Sequence, residues 1–181
     1  VTANGKVVAL QCGSFHVGML NSAGEVFLGG DPDTGKLGYE TAKYYGMKKL
    51  KSDHVFSSMA IFGDSTVLGS LDGTLLAYGS ISGYHNATHT FETTYPPIVN
   101  VSGQGRKITV CTEKGEVFVH EEDDQLRTKQ GNFNTAYYVL SGTTSYNTFV
   151  CLAEKKDEVL SHFHLLVKTM HRNEFKDISI Q

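Results

Sequence analysis

Tryptophan is missing from this 181-residue chain, and proline and cysteine occur only three times each. Three cysteines without a Cys-x-x-Cys spacing exclude a disulfide scaffold or a zinc ribbon. So few prolines beside 19 glycines exclude collagen-like and proline-rich architectures. No run approaches the roughly 18 apolar residues of a membrane helix. The opening VTANGKVVAL lacks the charged and long apolar regions of a signal peptide, so none is expected. The chain does not open on methionine, which fits a trimmed protein or a piece of a longer one. Charge of one sign is also lacking. There are 16 basic and 19 acidic residues, a net of −3, and phosphate neutralisation over a broad nucleic-acid surface needs a basic excess. Three chemistry-bearing motifs are absent as well: Gly-x-Ser-x-Gly, the phosphate loop and His-Glu-x-x-His. No catalytic residue, metal or cofactor is therefore expected.

Apolar residues, 40% of the chain, are enough for a core. They recur in a repeat. Segments 7–30, 57–80, 98–122 and 137–163 each read as apolar strand, glycine-containing turn, apolar strand, short polar turn, apolar strand. The second turn is the sharpest marker: Ala23-Gly24-Glu25-Val26, Asp72-Gly73-Thr74-Leu75, Lys114-Gly115-Glu116-Val117 and Lys156-Asp157-Glu158-Val159. Gly24, Gly73, Gly115 and Asp157 follow at intervals of 49, 42 and 42 residues. Glycine or aspartate between alternating apolar runs marks a hairpin, because such turns need a positive φ. The runs themselves favour β-branched residues, as in Lys107-Ile108-Thr109-Val110-Cys111-Thr112.

Connections at 31–55, 81–97, 123–136 and 164–176 separate the units, and the best helical stretch, 165–173, is short. An all-β chain of about four blade-sized units results, approximately 7–55, 56–97, 98–136 and 137–175, with 176–181 opening a further repeat. A small sheet with two apolar faces must stack on its neighbours, which points to a β-propeller over a sandwich or a solenoid. The three cysteines, Cys12, Cys111 and Cys151, each sit in an apolar run and are expected as reduced core thiols. That setting, and no leader, suggest the cytoplasm or nucleus.

The repeats resemble the regulator-of-chromosome-condensation repeat family. Gly13-Ser14-Phe15-His16 resembles its Gly-x-x-His turn, Ala23-Gly24-Glu25-Val26-Phe27 its second turn, and Gly35-Lys36-Leu37-Gly38 its Gly-Gln-Leu-Gly element. Asp72-Gly73 with Tyr78-Gly79, and Gly115-Glu116-Val117-Phe118, carry the pattern onward; Asp157-Glu158-Val159 is what the fourth unit keeps. The family's Trp-Gly is replaced by Leu28-Gly29 in the first unit. The resemblance implies Gly13, His16, Gly24, Gly35, Gly38, Gly73, Gly79 and Gly115 as structural residues, with His16 bonded to a neighbouring turn. It also implies a seven-bladed ring, for which this period requires roughly 300–350 residues. This chain is then a partial ring, or part of a larger propeller.

Recognition belongs to loops on such a scaffold. The segment 42–51 sets Lys43, Lys48, Lys49 and Lys51 around Tyr44, Tyr45 and Met47, a mixture suited to a protein interface or an anionic partner. Its ordinary alternative is a solvated loop with the tyrosines folded onto the blade. Tyr84, His85, His89, Phe91 and Tyr95 form a second aromatic segment, and Glu121-Glu122-Asp123-Asp124 an acidic run. His162 and His164, two apart on a strand, share a face but have no third ligand at useful spacing. The function expected is a non-enzymatic protein-interaction module, a docking or scaffold part of a larger regulatory protein. Its partner is a protein, or further propeller repeats in the same or another chain. Two alternatives follow from the resemblance: a guanine-nucleotide exchange factor for a Ran-like small GTPase, and a propeller-type enzyme inhibitor. The hairpin reading makes a first prediction. Gly24→Val lowers the thermal midpoint seen by circular dichroism, since a β-branched residue resists positive φ; an unchanged melt counts against that turn.

Overall fold

The structure, a computed structural model, describes residues 5–41, 45–82, 91–121, 129–131, 137–145, 148–155, 163–169 and 175–179, with side chains at 5–41, 46–81 and 94–119. Within these residues four antiparallel four-stranded sheets follow one another, each a meander in chain order. The first blade comprises β1 (Val7–Cys12), β2 (His16–Asn21), β3 (Val26–Gly30) and β4 (Tyr45–Lys49). The second comprises β5 (Phe56–Phe62), β6 (Ser65–Ser70), β7 (Thr74–Gly79) and β8 (Phe91–Thr94). The third comprises β9 (Ile98–Gln104), β10 (Lys107–Thr112), β11 (Val117–Glu121) and β12 (Lys129–Gly131). The fourth comprises β13 (Tyr137–Ser145), β14 (Thr148–Lys155), β15 (Phe163–Thr169) and β16 (Phe175–Ser179). The architecture is all-β and bladed.

The hairpins at the repeat marker have a shared cause. Gly24, Gly73 and Gly115 adopt φ of 74°, 91° and 76°. Each amide donates to the carbonyl three residues earlier, on Asn21, Ser70 and Thr112. The same three residues tie the loop with their side chains. Asn21 Oδ1 accepts from the amides of Ala23 and Glu25, Ser70 Oγ from Thr74, and Thr112 Oγ1 from Glu116. All three are buried, so the polar group three residues before the glycine is as much a part of the repeat as the glycine. A bulge recurs in every first strand: between Val7 and Ala9, Phe56 and Ser58, and Val139 and Ser141, and in β9 opposite Cys111 and Thr112.

The core lies between blades. Strand alternation sends Met59, Ile61, Leu68, Leu76 and Tyr78 of the second blade into one cluster with Leu20, Val26, Leu28 and Leu37 of the first. Their neighbours Ala60, Val67, Leu75 and Ala77 enter another with Ile98, Val101, Ile108 and Val110 of the third. Side chains stitch the first strands together. Gln11 donates to Met59 O and accepts from the Ile61 amide. Ser57 Oγ donates to Ile98 O, and Ser58 Oγ accepts from the Val101 amide.

Four expectations need correction. The segments around 45–49, 91–94 and 129–131 are not loops but the fourth strands of their blades. Tyr45-Gly46-Met47-Lys48-Lys49, Phe91-Glu92-Thr93-Thr94 and Lys129-Gln130-Gly131 are short runs of mostly polar residues at the edges of their sheets, and short, charged strands are common at sheet edges. Of the stretch 165–173, the described residues 165–169 are strand and not helix. Residues 163–169 are β15, paired to β14 through Leu165↔Leu152 and to β16 through Leu165↔Ile178, and this cross-strand pairing on both sides overrides local preference. Residues 175–179 therefore close the fourth blade as β16, where 176–181 was expected to open a further repeat. Finally, Cys12 is exposed while Cys111 is buried; the side chain of Cys151 lies outside the described residues. Cys12 pairs with Val17 on the face of the first blade turned away from the second.

The first blade joint as a candidate interaction site

The joint between the first two blades gathers most of the residues singled out by the repeat. His16 opens β2 and is 2% exposed. Its Nε2 lies 2.9 Å from Thr66 Oγ1 on β6, and the Thr66 hydroxyl donates to Lys36 O at 2.8 Å. A hydroxyl has one proton, so Thr66 must accept from the ring, and His16 is the Nε2–H tautomer. Gly13 leaves room for this ring: a Cβ there would lie 2.7 Å from His16 Nδ1. The bond from His16 thus runs to a side chain of the next blade, where the Ser65 backbone also hydrogen-bonds the ring. Burial, reinforced by the Lys36 charge, lowers the His16 pKa from 6.5 to about 4.

Lys36 stands where the repeat family has glutamine, directly after the 3-10 turn Asp33–Gly35. It is 1% exposed. Its Nζ donates to Asp31 Oδ2 at 2.9 Å and to Asp33 O at 3.0 Å, and lies 3.2 Å from Asp64 Oδ1 on the next blade. Burial opposes the charge, but the bonds to Asp31 and Asp64 outweigh it and hold the ammonium above its ordinary value. Gly35 and Gly38 bracket the turn with positive φ, and Gly79 reaches Asp64, whose carbonyl accepts the Ser80 amide. These groups are consumed in joining blades.

On the side of the sheets where the Gly24 turn lies, a cleft of about 230 Å3 opens between that turn and residues 49–56. Glu25, Lys49, Ser52, Asp53 and His54 line it, over Phe56. Lys49 is paired to Glu25, whose carboxyl is held below its usual range by that bond and by the Asn21 amide. His54 Nδ1 lies 2.9 Å from Asp72 Oδ2. Asp72 is held well below the usual carboxylate range by the Ser70 hydroxyl and by His54. Two large apolar side chains stand exposed beside these pairs, Val55 at 61% and Leu71 at 56%.

The other expected partner-binding residues are dispersed. Lys48 lies 5.0 Å from the centre of the Tyr39 ring. Met47 is half-buried on β4 and Lys51 is exposed beyond it. Tyr95 is not a free loop aromatic; it packs at 4.9 Å on Phe118 at the edge of the second cluster, and its amide bonds Gly73 O. Lys43, Tyr44, Tyr84, His85, His89, Asp157, His162 and residues 122–124 lie outside the described residues, as does the Tyr45 side chain. Among the described residues no group of three or more His, Cys, Asp or Glu is placed to hold a metal ion, and no helix is long and apolar enough to cross a membrane. Val55 and Leu71 escaped the sequence reading; the signal was an apolar residue at a turn position, before the marker Asp72-Gly73 and before the β5 strand.

No protein-family model and no curated protein matches the chain. Solved structures do. Human WBSCR16 superposes with a TM-score of 0.69 at 20% identity over 93% of this chain and 48% of its own. Yeast RCC1 (Prp20), solved bound to Kap60, gives 0.68 at 14% over 97% and 49%. Prp20p from Saccharomyces cerevisiae, in a study of its binding to Gsp1p and histones, gives 0.63 at 16% over 88% and 44%. The fold is that of the RCC1 propellers. The chain spans about half the length of these structures. A computationally designed protein, Ika8, superposes equally at 0.63 and 13% identity, so the likeness carries the fold and not a function.

Two predictions follow from the buried network. Unfolded histidine titrates near 6.5 and His16 near 4, so the unfolded chain binds the extra proton between those values. Stability is full above pH 6.5 and falls by up to about 3 kcal/mol as pH drops to 4. Urea melts across that window must show a smaller slope for His16→Gln. In the same assay Asp31→Ala, which leaves the buried Lys36 ammonium with Asp64 as its one carboxylate partner, costs about 3 kcal/mol. Lys36→Met removes that charge and leaves two carboxylates within reach of water, and costs less. Equal losses would contradict the buried-ammonium account.

Proposed function

We propose that this chain is a non-enzymatic protein-docking module, built of propeller repeats, that engages a protein partner at the cleft of the first blade joint. The observation that carries the reading is the pair Val55 and Leu71, exposed beside the ion pair Glu25–Lys49 and the hydrogen-bonded pair His54–Asp72. Apolar anchors ringed by charge are the composition of a protein interface. The residues flanking them are held by hydrogen bonds, Phe56 N to Gly24 O at 3.0 Å and Thr74 N to Ser70 Oγ at 2.9 Å, which limits the ordering needed on binding. Lys51 supplies a further exposed cation beside the cleft. The buried His16 and Lys36 joint leaves those groups unable to reach a substrate. The cytoplasm or nucleus is the compartment that this reading assigns.

Prp20p, which shares the fold, was solved in a study of binding to Gsp1p and histones, and yeast RCC1 with Kap60. These support a protein as the class of partner. Nucleotide exchange on a small GTPase is the second reading, and it needs no acid–base chemistry, only tighter binding to the empty GTPase than to the loaded one. The test compares the intact chain with Val55→Asp/Leu71→Asp as affinity baits in one extract, with quantified partners. The expected result is about tenfold or greater loss of the specific partner, a change near 1.4 kcal/mol, at an unchanged thermal midpoint. Equal retention overturns the cleft reading. Acceleration of nucleotide release by substoichiometric chain would turn docking into exchange.

A further inference from the structure

The connector between the first two blades is a long one. Six residues, 50–55, link β4 to β5, where three, 95–97, link β8 to β9. Its ends are pinned, the Leu50 amide to Val26 O at 2.8 Å and the Phe56 amide to Gly24 O at 3.0 Å. Between them Lys51, Ser52, Asp53 and Val55 are exposed and His54 is half-buried. A backbone so placed needs a further tie to hold one shape, because each loose residue keeps its conformational entropy.

His54 supplies the tie. Its amide donates to Ser52 Oγ at 3.1 Å, which closes the connector on itself. Its ring stands 6.2 Å from the Phe56 ring, and its Nδ1 lies 2.9 Å from Asp72 Oδ2. An ionised carboxylate only accepts, so Nδ1 carries the proton. Asp72 is fixed from the other side. Its Oδ1 accepts from the Thr74 amide at 2.9 Å and from the hydroxyl of Ser70, which is buried. Among the described residues, the bond from His54 to Asp72 is the one hydrogen bond that joins 51–55 to the second blade.

The turn that receives this bond differs from its counterparts. Ahead of the marker glycines Gly24, Gly73 and Gly115 stand Ser22-Ala23, Leu71-Asp72 and Glu113-Lys114. Neither Ala23 nor Lys114 has a side chain that accepts a hydrogen bond. An exposed apolar residue and a carboxylate occur together in the one turn of the three that the long connector reaches. On the connector Val55 follows His54 directly, so each apolar anchor is the sequence neighbour of one partner of the bond. Gly24 leaves the space that Val55 takes, since a Cβ there would lie 2.4 Å from Val55 Cγ1.

We propose that the hydrogen bond from His54 to Asp72 is a strap that sets Val55 of the connector and Leu71 of the second blade at a fixed spacing, so that a protein partner meets them as one surface. His54 is a positioning residue, acting through Val55 without touching the partner. The inference rests on the docking reading and adds what holds that site in shape. The two side chains are 29% and 54% exposed, so the bond contributes little to global stability. Its effect is local, on a connector that can open while both blades stay folded.

Trypsin reads the strap directly, because cleavage after Lys51 in the native chain requires the connector to open. In the intact chain His54→Ala is expected to speed that cleavage about tenfold at an unchanged thermal midpoint, with equal rates for both chains once unfolded. His54→Asn, whose side-chain amide carries an N–H near the place of Nδ1–H, is expected to restore slow cleavage. The docking arm uses affinity baits and follows the one partner that Val55→Asp/Leu71→Asp loses. His54→Ala is expected to retain about tenfold less of it, and His54→Asn to retain it in full. Unchanged cleavage in His54→Ala, or no rescue by His54→Asn, overturns the strap. Partner loss in Val55→Asp/Leu71→Asp with full retention by His54→Ala overturns the strap's role in docking and leaves the docking reading standing. Full retention by Val55→Asp/Leu71→Asp overturns the docking reading, and the strap's role with it.

Discussion

Burial of both faces of a small sheet is the constraint on which this protein depends. In the second blade every other residue goes to one cluster and its neighbour to the other: Met59 and Ile61 one way, Ala60 the other; Leu68 one way, Val67 the other. Fully burying a side chain of this size is worth about 1.5–3 kcal/mol, and a lone blade would leave half of that unrealised on each face. Stability therefore belongs to the joints, not to the blades, and an array of this kind is nearly one-dimensional. Among the described residues, Leu10 and Met19 are more exposed than Met59 and Leu68, which the first blade covers.

The polar groups follow the same logic. Apolar clusters fix that two blades touch but leave sliding along the sheet inexpensive. Directional bonds remove that freedom. Gln11 clamps both sides of one residue pair on β5, and Ser57 and Ser58 do so on β9. His16, Thr66 and Lys36 form a chain of bonds in which each hydroxyl and ring proton has one possible direction. Breaking one partner is costly in a low-dielectric joint. Register is thereby specified at positions the hydrophobic effect cannot distinguish.

How much of this was legible depended on whether the cause was local. Gly24, Gly73 and Gly115 stood out because a positive φ is a property of one residue, and the blades and their all-β character followed from them. The fourth strands did not stand out. Met47, Lys48 and Lys49 are in a strand because β3 offers them an open edge, a fact held by another element, and their own composition is that of a loop. The stretch 163–169 fails for the same reason, since β14 and β16 decide it from both sides. Asn21, Ser70 and Thr112 were legible in principle, because each is a buried polar residue three before a marker glycine, but three different residue types hid one shared role. At the site, His16 announced itself by its place in the repeat, while Val55 and Leu71 became visible only once the turns that expose them were in place.

Lys36 shows how a departure from a repeat can be read physically. A glutamine at this position would satisfy hydrogen bonds without bringing a charge into the joint. A lysine buried to 1% requires anions, and the two that answer come from different blades: Asp31 from the end of the first, Asp64 from the tight turn between β5 and β6 of the second. The lysine thus makes an ion pair across the joint and places positive charge near the His16 ring. That charge reinforces what burial already does, keeping the imidazole neutral, so its tautomer and its bond to Thr66 are fixed together. The Lys36 carbonyl joins the Gly35–Gly38 turn to Thr66 and His16, and the Lys36 ammonium joins the same turn to Asp64 of the second blade. The outer cleft is built on the same joint through Gly24 and Phe56, so its walls share the contacts that hold the first two blades together.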